Sequence, residues 1–181
     1  MRSAARAGRP LPARTEAALR RAPLSAPAGL ALEDPVPPGF RRLDRSAVLE
    51  RRDLDAVAAE LFSWQLHLRA GLGVRASDTP LGLGTVLELR LGPGPFSLRA
   101  PCRVVEIIEQ PERRGFTYAT LPGHPESGLE RFLLEQGADG RVRLTLSAVS
   151  APASLPARLA RPLADAVQER ITRRYLRALE G

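Results

Sequence analysis

The chain has 181 residues and a formal net charge of +7, and all 27 of its basic residues are arginine, with no lysine and no asparagine. Lysine and asparagine share A-rich codons, so their joint absence marks GC-rich coding and discounts arginine as a sign of nucleic acid. Residues 1–30 hold six arginines against Glu16, and the rest holds 21 arginines against 19 acids. The body therefore lacks the basic excess of a general DNA-binding domain. One cysteine, Cys102, excludes an intramolecular disulfide, and with only two histidines no zinc site is expected. No run of 18 apolar residues exists, so no membrane-spanning helix is expected.

The N-terminus reads as an Arg/Ala/Pro-rich extension over residues 1–36, expected to be disordered. Arg20-Arg21 faintly resembles a twin-arginine signal, but Pro23 and Pro27 break the apolar run that should follow. The expectation is a cytoplasmic protein with one domain over 37–181. Phe40–Leu49 suits a first strand. Asp53 caps a helix expected to run unbroken to Ala70, with Leu54, Val57, Leu61, Trp64 and Leu68 on one face.

A β region follows. Val74–Ser77 is short, and Thr85–Leu91 alternates apolar and polar residues as a half-buried strand does. Gly92-Pro93-Gly94-Pro95 makes a turn before Cys102–Gln110, and Gly115–Leu121 puts Phe116, Tyr118 and Thr120 on one face. Gly128–Gln136 and Arg141–Ser150 complete the series, joined by a short glycine-containing loop. The last element is a helix from Pro162 to Leu179, whose Leu163, Val167, Ile171, Tyr175 and Leu179 form an i+4 ridge, with Asp165 near its start. The order predicts an α+β fold. A curved antiparallel sheet of six to seven strands grips the long C-terminal helix, with one further helix near the N-terminus.

The run Leu91-Gly92-Pro93-Gly94-Pro95, then Arg99 to Val105, then Gly115 to Gly128 resembles the family called domain of unknown function 1990, also uncharacterised protein family 0548. The string Phe-x-Tyr-x-Thr-Leu-Pro-Gly-His-Pro-Glu-x-Gly from Phe116 to Gly128 is its most specific part, with Trp64 and the segment from Gln168 to Leu176 in support. The resemblance covers roughly Pro37 to Leu179. Four features depart from the family pattern. Ala119 stands where the family has glycine, and Leu129 where it has an acid beside Glu130. Glu50-Arg51-Arg52 replaces a glycine-rich stretch, and the family's N-terminal tyrosine segment is not recognisable. More distantly the element order is similar to the START-like, polyketide cyclase or Bet v 1-like helix-grip fold, which implies a ligand between sheet and helix.

On this reading a small apolar molecule is the expected partner, and binding ranks above catalysis. Phe116, Tyr118, Thr120 and Trp64, with Val167, Ile171 and Tyr175 from the terminal helix, are the expected ligand-binding residues. Trp64 also suits the core. An enzyme of cyclase or hydrolase type would use His124 as general base, oriented by Glu130 or Glu126. Against it, His124 between Pro122 and Pro125 equally suits a rigid turn, and a Ser127–His124 nucleophile pair is disfavoured by spacing. Cys102 reads as an inert small hydrophobe and His67 as a solvated helix residue. Arg170, Arg173, Arg174 and Arg177 share one helix face and could meet phosphates of a nucleic acid, although no aromatics interleave them and a solvated face is the simpler reading. No cofactor is expected: the glycines match neither a Walker nor a dinucleotide motif.

Overall fold

The computed structural model describes residues 8–92, 97–154 and 161–180, with the backbone alone over 161–168. Its elements are β1 (Arg9–Pro10), α1 (Ala13–Arg21), β2 (Arg41–Val48), α2 (Leu54–Phe62), α3 (Gln65–Arg69), β3 (Gly73–Ala76), β4 (Val86–Leu91), β5 (Leu98–Gln110), β6 (Arg113–Thr120), β7 (Glu126–Gln136), β8 (Val142–Pro152) and α4 (Arg161–Ala178). The expected turn at Gly92–Pro95 falls mostly outside the described residues, as do the side chains of Pro162, Leu163, Asp165 and Val167.

The strands form one curved sheet in the order β1-β3-β4-β5-β6-β7-β8-β2. Every pairing is antiparallel except the short parallel contact of β1 with β3. The fold is α+β, and β1 brings the sheet to eight strands. Because side chains alternate across a strand, register assigns each face. One rung of the inner face runs Leu43–Ala148–Glu130–Tyr118–Val104. The next runs Arg45–Leu146–Phe132–Phe116–Ile107. Helix α2 packs over β6 and β7, and α4 over α3, β2 and β8.

The sequence expects a single helix over 53–70, and the structure breaks it. Asp53 caps α2 as expected, its carboxylate accepting the Ala56 N–H at 3.0 Å. The helix then stops at Trp64, which has a left-handed backbone (φ 64°) unusual for a bulky residue. Its fully buried ring fits beside Phe116, and its indole N–H donates to the Asp78 carbonyl at 3.1 Å. After the break, Leu66, His67 and Leu68 are all buried, a run that one face of a straight surface helix cannot supply. His67 is therefore a core residue with no exposed surface, not the solvated residue expected.

A second difference lies at the N-terminus, where a disordered extension is expected. Helix α1 packs on the outer face over β4 and β5. Leu11, Val86 and Leu121 form a small separate core, with Leu19 and Ala22 against it. The Arg103 guanidinium satisfies carbonyls at the end of α1, from Leu19 (2.5 Å), Arg20 (2.8 Å) and Ala22 (2.8 Å). The chain continues as a strap: Ser25 bonds Thr120 and Ser127, Glu33 pairs with Arg131, and Arg42 holds the Leu32 and Asp34 carbonyls. Composition suggested disorder because few apolar residues are present. Those few meet the outer face of the sheet, where Val86 and Leu121 complete a small core with Leu11. The same covering explains why β4 is buried on both faces, with Glu88 held by Arg90 and Arg99.

Candidate functional site

The inner face beneath the helices divides into two parts. One is a packed aromatic cluster. Phe116 and Phe132 stack with ring centres 5.3 Å apart, Trp64 meets Phe116 edge-on at 5.7 Å, and Tyr175 meets Phe132 edge-on at 5.4 Å. His67 sits among them, 5.0 Å from Phe132 and 5.2 Å from Tyr175. Neither of its ring nitrogens has a hydrogen-bond partner, and burial lowers its pKa to about 3, so the ring is neutral.

The other part is polar. Tyr118 donates its hydroxyl to Glu130 Oε2 across the β6–β7 rung, while Glu130 Oε1 is sealed from solvent without a partner. Burial raises the Glu130 carboxyl to about 7, opposed by the Tyr118 bond and aided by the charge of Glu126. The Cys102 thiol and the Tyr118 and Tyr175 hydroxyls are pushed well above their usual range, by burial first and then by Glu130. Thr172 Oγ1 on α4 is likewise buried without a partner. A buried polar atom left unpaired costs on the order of 1–3 kcal/mol, so this arrangement does not serve stability.

A cleft of about 210 Å³ opens beside that rung, between β2, β8 and α4. Leu43 and Ala148 line it, and these are the residues that continue the Glu130–Tyr118 rung. Arg41, Arg42, Arg45, Glu126, Ser150 and Glu169 complete the lining. Arg41 pairs with Glu126 at 2.6 Å, whose other oxygen takes the Ser150 hydroxyl at 2.6 Å. Arg45 lies 3.7 Å from Glu169 of α4. Gly128, opposite Ser150, presents no side chain between Glu126 and Glu130.

The expected site residues distribute as follows. Phe116, Tyr118, Trp64 and Tyr175 come together in the aromatic cluster, and Ile171 packs against its edge. Val167 lies outside the described side chains. Thr120 is taken up elsewhere, its hydroxyl bonding Ser25 Oγ at 2.7 Å and the Gly128 backbone. His124 and Glu130 are engaged by different groups: His124 Nδ1 accepts the Glu126 N–H at 2.9 Å inside the turn, and burial lowers its pKa to about 4. His67 is the residue that sequence reasoning missed. The one available signal was its position three residues after Trp64, beside the apolar face. Cys102 is buried, and its thiol points to the Ala100 carbonyl at 3.8 Å. Of the terminal arginines, Arg174 donates to the Ala70 carbonyl at 3.1 Å and Arg173 lies beside Glu169, while Arg170 and Arg177 are exposed. Among the described residues, no helix is long and apolar enough to cross a membrane.

Similarity to known proteins agrees with this architecture. A UPF0548 protein of Deinococcus radiodurans is 42% identical over 113 residues, a match spanning 57% of this chain and 57% of that protein. Among solved structures, the hypothetical protein jhp0584 from Helicobacter pylori superposes with a TM-score of 0.60 at 15% identity, covering 77% of this chain and 85% of that one. Ara h 8.0201 superposes with a TM-score of 0.51 at 13% identity, covering 79% and 100%. The ginseng major latex-like protein 151 from Panax ginseng gives 0.51 at 16% identity, covering 75% and 94%. At such identities the likeness shows the fold, which is START-like and of the Bet v 1 type. Residues 25–178 match the family described as Domain of unknown function (DUF1990), and the chain belongs to that family.

Proposed function

We propose that the protein binds a small molecule between the inner face of the sheet and α4, with Glu130 as the polar anchor. One observation carries this reading: the Glu130 carboxyl, with an unpartnered oxygen, stands in register with Ala148, the residue that with Leu43 floors an open cleft. Leu43 and Ala148 give the cleft an apolar floor, and charged and hydroxyl side chains form its walls. The cleft is smaller than most drug-sized sites, so the occupant is compact or enters partly under α4. His124 stays a turn residue in this reading, because its ring nitrogen already holds the backbone.

Native mass spectrometry of protein purified from its own host tests the proposal. The expected result is a co-purified small molecule that is lost in Ala148→Phe, where the added ring fills the cleft floor. Wild-type protein that carries no adduct and acquires none from a host metabolite extract would overturn it.

A further inference from the structure

Glu130 is a buried acid without a counter-charge. Among the described residues no arginine is paired with it: of the three arginines lining the cleft, Arg41 pairs with Glu126, Arg45 shares Glu169 with Arg173, and Arg42 turns to the outer face to hold the Leu32 and Asp34 carbonyls. The carboxyl accepts instead from the Tyr118 hydroxyl, whose ring packs on Phe132, and its charge reaches the Tyr175 hydroxyl and the Cys102 thiol. Aromatic faces carry partial negative charge and attract cations. Above pH 7, where Glu130 is ionised, an anion would meet repulsion from it, and a neutral molecule would leave its charge uncompensated, which is costly in a buried site.

We infer that the ligand is an organic cation, a compact amine whose ammonium group is held by Glu130 among the aromatic rings and whose apolar part occupies the cleft over Leu43 and Ala148. This rests on the small-molecule reading above and adds the chemical class. The ammonium supplies the donor that Glu130 Oε1 lacks and the charge that the site lacks. Acids stand beside the inner-face arginines of the mouth, Glu126 at Arg41 and Glu169 at Arg45, and moderate their repulsion of a cation.

The groups facing Glu130 set the pH dependence. They are His67 from α3, Cys102 from β5, Tyr118 from β6, Glu126 on the same strand, paired with Arg41, and Tyr175 from α4. His67 titrates near 3, and the thiol and both hydroxyls titrate well above their usual range. Glu130, near 7, is thus the group of this set that changes charge between pH 5.5 and 8 through burial.

Calorimetric titration of the full chain with benzylamine, its uncharged near-isostere benzyl alcohol, and benzoate tests the inference. At pH 8 benzylamine is expected to bind at least about tenfold more tightly than either of the others, the direction that a buried carboxylate imposes. Its affinity should fall roughly thirtyfold on going to pH 5.5, as the carboxyl protonates. The preference should vanish in Glu130→Gln, and the pH arm in wild-type protein stands even if that variant folds poorly. Equal binding of benzylamine and benzyl alcohol would overturn the cation and leave the small-molecule reading intact. Binding by none of the three would also overturn it, and the small-molecule reading would then be judged separately by native mass spectrometry.

Discussion

Ala119 and Leu129 lie directly opposite one another across β6 and β7, in the outer-face rung Arg42–Val149–Leu129–Ala119–Arg103. These are two of the positions at which the family resemblance leads one to expect other residues, a glycine and an acid. They form a pair, and they face the N-terminal strap rather than α4. Glu130, one residue along, points to the other side because strand side chains alternate.

The first prediction follows from that separation. Ala119→Gly should cost about 0.5–1 kcal/mol through backbone freedom in a strand and leave any ligand adduct unchanged. Chemical denaturation and native mass spectrometry of the variant read the two effects independently.

Acid stability should be governed by histidine. His67 and His124 have native pKa values of about 3 and about 4, both lowered mainly by burial. The unfolded chain therefore binds more protons than the native state below pH 6.5, so stability falls as pH drops from about 6.5 toward 3. His67 alone accounts for on the order of 4 kcal/mol across that window. Urea unfolding at a series of pH values should show the loss, and His67→Leu should remove the larger share of it.

The opposite sign applies to Glu130. Its native pKa is raised to about 7, so its native state holds the proton more tightly than the unfolded chain does. The resulting stability is full below about pH 4.5 and is lost as pH rises through 7. Glu130→Gln should match wild type near pH 4.5 and exceed it by about 2–3 kcal/mol at pH 8. Tyr118→Phe removes the one hydrogen bond that lowers this pKa, so the carboxyl should titrate higher still. Carbon NMR of the labelled glutamate carboxyl reads that shift directly.

Docking of the N-terminal segment has its own test. Leu11 is buried in the outer-face core with Val86 and Leu121. Leu11→Ala should cost about 2–3 kcal/mol. Amide hydrogen exchange should show protection over Ala13–Arg21 in wild type and its loss in the variant. An unprotected helix in wild-type protein would contradict the docked arrangement.

Much of the architecture was legible in the residues themselves. Period-2 runs such as Thr85–Leu91 and the β-branched run within Cys102–Gln110 mark strands wherever they fold. The terminal helix announces itself by its spacing, and the string from Phe116 to Gly128 carries the family. Glu130 was visible as a candidate, although with His124 as its partner. The true neighbour, Tyr118, is set by the register of β6 on β7, which depends on the turn between them and on which face is buried.

Three things were decided only by tertiary contact. Trp64 adopts a left-handed backbone because its ring and indole N–H are satisfied by Phe116 and Asp78, residues distant in sequence. That break turns His67 inward, against its own polarity. The N-terminal segment is held by Arg103, Arg131 and Arg42, whose targets are backbone carbonyls and one acid of that segment. Local composition determines where a chain can form strands and helices. The choice of which polar groups end up buried, and beside what, belongs to contacts that exist only once the sheet has closed over the helix.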